Sequence, residues 1–314
     1  MTEFGFIESL REQFSTLPDN GFEGIGDDCA IYPLEGGDAL LFTSDTLIEN
    51  IHFLRDAATP EEIGAKSLMV NLSDVAAMGA QPVATLLAIS LPANISEEWV
   101  KRFIEGYRQV SVQYGVPLIG GDTTSSTEGI VINITAIGRT QQSHIKRRSA
   151  AHVGDTIFVG GVLGGSAAGL RNILKGSTDT ETAHLHHNPQ AQIAEGAWLG
   201  EQPYVHAMMD LSDGLASDLR HILKASKVGA VINIEKIPTH KDATIEDAVC
   251  GGEDYKLLFT VDEKSTEEFC TQFQERFGYT PYAVGRIIES ESYDIEWREG
   301  EKVFYPNWQG FSHF

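Results

Sequence analysis

Positive charge is what this 314-residue chain has least of: 23 Lys and Arg stand against 45 Asp and Glu, a formal net charge of −22. Such a surface repels nucleic acid and anionic membranes, so neither is expected as a partner. It also repels a phosphorylated substrate unless metal cations stand between. Cysteine is scarce too. Cys29, Cys250 and Cys270 lack the paired spacing of a disulfide framework or a zinc motif, which suits a reducing cytosol. No apolar run approaches the ~18 residues of a membrane span. The start, Met1 to Phe6, lacks the basic and apolar regions of a signal peptide, so a soluble cytoplasmic protein is expected. A P-loop is excluded because no Gly-x-x-x-x-Gly-Lys-Ser/Thr occurs, and Gly160–Gly165 lacks the Rossmann spacing. No Ser-His-Asp arrangement stands out.

What is present is organised around one predicted helix that ends in Asn71-Leu-Ser-Asp-Val-Ala-Ala-Met-Gly79-Ala80. Thr59 can cap it, Pro60 suits its first turn, and Glu61 and Glu62 oppose the positive end of its dipole. Gly79 suits a left-handed stop. Ser67, Asn71 and Asp74 recur at spacings of four and three and share one face among apolar residues. Asp74 lies near the helix end that disfavours a carboxylate by about 0.3–1 kcal/mol. It is either an exposed acid on a solvated stripe or an acid that requires a cation.

The length favours two domains. An amphipathic helix is read over residues 4–17, strands at 39–43, 83–91 and 130–138, and a helix capped by Ser96 and stopped by Gly115. A boundary falls near 140–155. Beyond it come a strand at 156–159, a polar His-rich loop at 176–190, a strand at 207–211, a helix to Ser226, strands at 230–235 and 255–261, a helix at 265–277 and two strands near 281–297. Strands and helices mix without strict alternation, so the fold class is mixed α/β or α+β.

One arrangement keeps returning: an apolar strand ends, Gly or Ser loosens the backbone, and an acid emerges. It occurs at Asp27 and Asp28, Asp45, Asp122, Asp210 and Asp213, and Glu253 and Asp254, with Asp74 on its helix. One such Asp is usually a turn residue or a cap. Six in the same context point to hard oxygen ligands, which suit Mg²⁺ bridging to phosphates. Gly120 and Gly121 could let backbone amides approach a phosphate, and Gly160–Gly165 is either a phosphate loop or a tight turn under a packed helix. Arg148 is a candidate phosphate clamp. His184, His186 and His187 are read as solvated loop residues, and Trp308 as part of a C-terminal hydrophobic plug.

These motifs, taken in order, resemble the thiamine-monophosphate kinase family, related to aminoimidazole ribonucleotide synthetase. The resemblance rests on Ile25-Gly-Asp-Asp28, Asp45-Thr-Leu-Ile-Glu-Asn-Ile-His52-Phe53, Asn71-Leu-Ser-Asp74 to Gly79, and Gly120-Gly-Asp122-Thr123. It continues through Arg148-Ser-Ala-Ala151, Gly164-Gly-Ser-Ala-Ala-Gly-Leu170, Asp210-Leu-Ser-Asp213-Gly-Leu215, Gly251-Gly-Glu-Asp-Tyr255 and the tail from Trp308 to Phe314. It departs from the family pattern at Ile48-Glu-Asn-Ile51, Ala150, Cys29 and Ser312.

The resemblance implies ATP-dependent phosphorylation of thiamine monophosphate to thiamine diphosphate with several Mg²⁺ ions. It gives metal ligation to Asp28, Thr43, Ser44, Asp45, Asp74, Asp122, Asp210 and Asp213. ATP contacts fall to Gly121, Asp122, Arg148 and Ser212, and thiamine monophosphate to His52, Glu253 and Trp308. Asp122, Arg148 and Asp213 would be catalytic. It also implies an N-terminal ATP, metal and dimerisation domain over 1–148, pairing into a homodimer through its sheet, and a C-terminal α/β domain over 149–314. The other readings are an ATP-using synthetase of the same superfamily and a non-catalytic acidic metal-binding protein.

Overall fold

The computed structural model describes residues 3–311. The tail residues Ser312 to Phe314 and the first two residues lie outside it. Residues 30–141 build a five-stranded sheet and residues 156–304 a seven-stranded one.

An N-terminal helix α1 (Glu3–Phe14) leads to the first sheet. This consists of β1 (Ala30–Pro33), β2 (Asp38–Ile48), β3 (Gln81–Pro92), β4 (Leu118–Ser126) and β5 (Val131–Gln141), in the order β1-β2-β5-β3-β4. All pairings are antiparallel except β3 with β4. A parallel neighbour needs a crossover, and the helix α3 (Glu97–Tyr114) supplies it. The Ser96 cap and the left-handed Gly115 stop stand as expected.

The organising helix is α2 (Pro60–Ala77). Thr59 and Glu62 exchange hydrogen bonds in a capping box, and Gly79 just beyond the end has φ 73°. It packs on β2 and β5 of the first sheet and on elements of the second half. A helix enclosed this way buries its polar face as well. Ser67 and Asn71 are therefore fully buried, and Asn71 Nδ2 donates to Ser67 O at 3.0 Å within the helix.

In the second half, β6 (Thr156–Val159) leads into the helices α4 (Gly165–Leu174), α5 (Glu181–His187) and α6 (Ile193–Glu201). β7 (Val205–Asp210), α7 (Leu215–Ser226), β8 (Gly229–Asn233) and α8 (Ile245–Cys250) follow. The chain continues through β9 (Leu257–Val261), α9 (Thr266–Phe277), β10 (Tyr282–Ile288), β11 (Ile295–Glu299) and β12 (Lys302–Phe304). The sheet order is β12-β11-β8-β10-β6-β9-β7. Separate apolar clusters pack around this sheet, one including Leu219, Ile222 and Trp297, the other Phe158, Phe259, Phe269 and Phe273.

Two expectations need correction. The stretch 176–190 is not a loop: Thr180 caps α5, and His186 and His187 are 5% exposed on its buried face. A seven-residue helix is too short for periodicity to reveal, and its burial comes from contact with α4 and α2. Asp45 and Asp122 do not follow strand ends, because β2 runs on to Ile48 and β4 to Ser126. Pairing with β5 and β3 carries both strands past the polar residues that looked like stops.

Candidate active-site cleft

A cleft of about 1150 Å³ opens between the two sheets, lined on one side by β2, α2 and residues 50–54 and on the other by α4, residues 212–213 and residues 250–255. Asp45, His52, Asp74, Ser212, Asp213 and Glu253 all line it. Residues far apart in the chain and singled out from sequence alone thus meet in one place.

Beside Asp74, which lines the cleft, lie Asp28 and Asp210, and the three carboxylates offer oxygens within 4.8 Å of one another. Each is delivered by a different device. Asp28 precedes β1, Asp74 projects from α2, and Asp210 ends β7. Thr43 Oγ1 donates to Asp74 Oδ2 at 2.5 Å, and Ser73 Oγ donates to Asp210 Oδ2 at 2.5 Å. The Asp45 amide donates to Asn71 Oδ1 at 3.0 Å, which ties β2 to α2 beside the cluster. Arg148, from the segment joining the sheets, reaches in: Nη2 donates to Asp28 Oδ1 at 2.6 Å, and its amide donates to Asp27 Oδ1 at 2.7 Å.

One guanidinium does not balance this much negative charge. Burial, followed by repulsion from Asp45, Asp210 and Asp28, pushes the Asp74 carboxyl well above its usual range. Burial and then Asp28 push Asp210 up to about 7 and Asp45 up to about 6. Asp28 Oδ2 is buried with no hydrogen-bond partner among the described residues. Buried charges are normally paired or bound to metal. An all-oxygen donor set with an orphaned carboxylate oxygen fits a hard divalent cation such as Mg²⁺.

A second cluster lies along the same cleft. Glu253 Oε2 accepts from Lys66 Nζ at 3.0 Å and lies 3.2 Å from His186 Nδ1. Burial opposes the Glu253 charge, yet the Lys66 ammonium beside it holds its carboxyl below the usual range. Burial and the Lys66 charge push His186 down to about 3, so its ring is neutral near pH 7. Glu253 and Tyr255 both have positive φ, 64° and 48°, an uncommon conformation for residues with side chains and one that gathers at binding sites. His52 Nδ1 accepts the Ile48 amide at 3.0 Å, which leaves Nε2 as the protonated nitrogen of the neutral ring. Lys66 and His186 carried no sequence signal: a lone Lys in a helix reads as solvated, and only the fold buries it against Glu253.

Other expected residues lie elsewhere. Side chains alternate along a strand, so Thr43 and Asp45 share the α2 side of β2, while Ser44 points to the other face. There Ser44 Oγ meets Asn133, and Asn133 Nδ2 donates to Thr46 Oγ1 at 2.8 Å. Asp122 is exposed on β4, in register with Ala88, Asn133 and Thr46 across the sheet. It is therefore three strand spacings, about 14 Å, from Thr46. Gly121 has φ 151°, and a Cβ there would come within 1.7 Å of Leu87 O, so close strand packing alone requires that glycine. The Trp308 ring packs edge-on against Trp297 at 4.8 Å and Phe304 at 5.9 Å between ring centres, outside the cleft lining, whereas Gly310 and Phe311 line it. Asp254 occupies two of the amides at the start of α4, accepting from Gly164 N at 2.6 Å and Ser166 N at 3.1 Å. Gly160–Gly165 forms a tight turn before α4, with Gly164 at φ 82° and its amide held by Asp254.

Comparison with known proteins follows the same division of the chain. A family model described as AIR synthase related protein, N-terminal domain, matches residues 26–140, and one described as AIR synthase related protein, C-terminal domain, matches residues 152–298. The thiamine-monophosphate kinase of Haemophilus influenzae is 35% identical, with 100% of this chain and 98% of that protein covered. The enzyme of the same name from Bacillus subtilis is 34% identical, with both chains covered completely. Among solved structures, one described as AaThiL complexed with AMPPCP and TMP superposes with a TM-score of 0.84 at 32% identity, covering 100% of this chain and 97% of that one. Both sheets, the cleft between them and the acids that meet there fall within an end-to-end match, and the chain belongs to the thiamine-monophosphate kinase family of AIR synthase-related proteins.

Proposed function

We propose that this protein transfers the γ-phosphoryl group of ATP to the phosphate of thiamine monophosphate, giving ADP and thiamine diphosphate. The observation that carries this reading is the cluster of Asp28, Asp74 and Asp210 with its orphaned Asp28 oxygen, set at a cleft large enough for two ligands, in a chain that matches these kinases end to end. The relative bound to AMPPCP and TMP supports the pairing of substrates.

The attacking group is a phosphate monoester, already mostly dianionic at neutral pH because its second pKa is about 6. No strong base has to be supplied. The difficulty is to bring two polyanions together in line. Asp28, Asp45, Asp74, Asp210 and Asp213, with the Thr43 hydroxyl, would hold Mg²⁺, whose positive charge would offset the negative charge of the phosphates when bound. Arg148, oriented by Asp27 and Asp28, gives a fixed positive group beside the acids, and Ser212 offers a hydroxyl at the cleft wall. The Lys66 ammonium keeps Glu253 ionised, so it can face the cationic thiamine moiety, with His52 nearby as an N–H donor. Trp308 joins this set by resemblance. Its support is position, three residues before Phe311, and its indole would have to leave Trp297 to reach a thiazolium.

The same reading makes the protein a homodimer through its N-terminal sheet. β4 is an exposed edge strand carrying Leu118 and Ile119, 47% and 59% exposed, beside Val83 and Leu86 of β3. An open apolar edge and face favour pairing with a second copy. Ser44, Gly121 and Asp122 belong to this sheet, and their proposed metal and ATP contacts rest on the family resemblance. Light scattering at micromolar concentration is expected to give a dimer, and an active monomer would refute that part.

The deciding experiment incubates the protein with ATP, Mg²⁺ and a panel of monophosphate esters and identifies products by mass. Thiamine diphosphate with equimolar ADP is expected. Transfer to another monophosphate, with none to thiamine monophosphate, would favour a different member of the superfamily. Metal binding without nucleotide turnover would leave a non-catalytic protein.

A further inference from the structure

We infer that His152, Asp155 and His206 form a second cation site, built for one transition-metal ion of the Zn²⁺ class. None of the three lines the cleft. His152 and Asp155 lie in the turn that enters β6, and His206 lies on β7; β9, between these two strands, carries Thr260. Their ligand atoms lie within 4.8 Å of one another. His206 Nδ1 is 3.1 Å from His152 Nδ1 and 2.9 and 3.0 Å from the two Asp155 oxygens.

The geometry asks for something positive at its centre. Two imidazole nitrogens face each other while one of them also faces a carboxylate. In the neutral rings a single proton on His206 Nδ1 must serve both Asp155 and the His152 lone pair. A cation satisfies all three at once. Ligands about 2.0–2.2 Å from a tetrahedral ion lie about 3.3–3.6 Å apart, so the spacings from His206 Nδ1 need to widen by only a few tenths of an ångström, and the His152–Asp155 pair already lies within 4.8 Å. Two imidazoles and one carboxylate select Zn²⁺, Co²⁺ or Ni²⁺ over Mg²⁺, unlike the all-oxygen cluster in the cleft.

The support around the ligands is already built. Asp155 is 3% exposed and accepts from Thr260 Oγ1 at 3.0 Å and the His152 amide at 2.9 Å, which fixes its orientation. Thr260 Oγ1 is itself held by the Ala207 amide at 3.1 Å. His152 is exposed, which leaves a path for the ion and an open fourth position for water. A bound ion would tie the segment that follows Arg148 to the strand that ends in Asp210.

The test titrates the full chain, free of any polyhistidine tag, with Zn²⁺ against a chromophoric chelator in excess Mg²⁺. Co²⁺ is added in parallel to read its ligand-field absorption. One tight equivalent with a tetrahedral Co²⁺ spectrum is expected. His152→Ala and His206→Ala should each weaken Zn²⁺ binding at least tenfold, and Thr260→Val, which removes an outer support, about tenfold. Zn²⁺ should raise the melting temperature of the parent chain and leave that of His206→Ala unchanged. His240→Ala, in the separate group of Glu181, His240 and Asp242, should bind like the parent. No stoichiometric Zn²⁺ in excess Mg²⁺, or equal affinity in parent and His152→Ala, would reduce the cluster to a hydrogen-bonded triad. His152 is exposed, so its substitution spares the fold and keeps that outcome readable.

Discussion

Two sets of buried aspartates differ in what holds them. Asp218 is as deeply enclosed as Asp210, and Asp254, like Asp74, is partly buried, yet Asp218 and Asp254 each accept two backbone amides. Asp218 accepts from Asp213 and Gly214 at 3.1 and 3.0 Å, and Asp254 from Gly164 and Ser166. The cleft acids Asp28, Asp74 and Asp210 face one another instead, with two hydroxyls and one guanidinium among them. The first set completes the starts of α7 and α4 and acts as structure. The second is left with charge that the protein does not neutralise, which is the condition of a cation site. Burial alone does not distinguish function from packing; the partner of each oxygen does.

The contrast breaks most sharply on substitution. Asp74→Asn and Asp210→Asn should lower kcat/KM by about a thousandfold or more, the several kcal/mol that uncompensated phosphate charge costs. Their metal-free melting temperatures should hold or rise, since a neutral isostere removes repulsion. A variant that keeps near-parental activity at limiting Mg²⁺ removes that residue from the site. Asp218→Ala should behave in the opposite way. It orphans two buried amides at about 1–3 kcal/mol each, so melting falls by several degrees while the folded fraction keeps most of its turnover.

A pH series sharpens the same distinction. Asp210, pushed up to about 7, and Asp45, pushed up to about 6, bind protons more tightly folded than unfolded, where the ordinary value is 3.8. Their contribution to stability is therefore complete below about pH 4 and is lost as pH rises towards 7. Metal-free protein should show melting that declines across that window, and saturating Mg²⁺ should flatten it. Asp254, pushed up to about 6 by burial, gives a decline in the same direction that Mg²⁺ leaves untouched. An identical profile with and without Mg²⁺ would place no cation among the cleft acids.

The smallest effect is expected at Trp308, where the question of partner recurs. Its ring now rests on Trp297 and Phe304, and its backbone carbonyl accepts from Arg220 Nη1 at 3.0 Å. If the tail turns its indole onto the thiazolium, Trp308→Ala raises the KM for thiamine monophosphate about tenfold and leaves that for ATP nearly unchanged. A lower melting temperature with both KM values unchanged would assign the ring to packing.

Much of this was legible in the chain before any coordinates. The bounds of α2 and α3 follow from Thr59, Ser96, Gly79 and Gly115, because caps and stops act over a few residues. The acids of the cleft were legible as a class, because Gly or Ser beside an Asp leaves a local mark. Which acids meet was not: Asp28, Asp74 and Asp210 come from a loop, a helix and a strand in different halves, and only the closure of two sheets around α2 brings them within reach. The face of each strand residue was likewise undecided, since a period of two separates Thr43 and Asp45 from Ser44 only once pairing sets which side meets α2. The burial of Lys66 and His186 against Glu253, and the meeting of His152 with His206, belong to tertiary structure alone. Local propensity reaches a few residues along the chain, whereas charge compensation acts through space between residues the sequence keeps far apart.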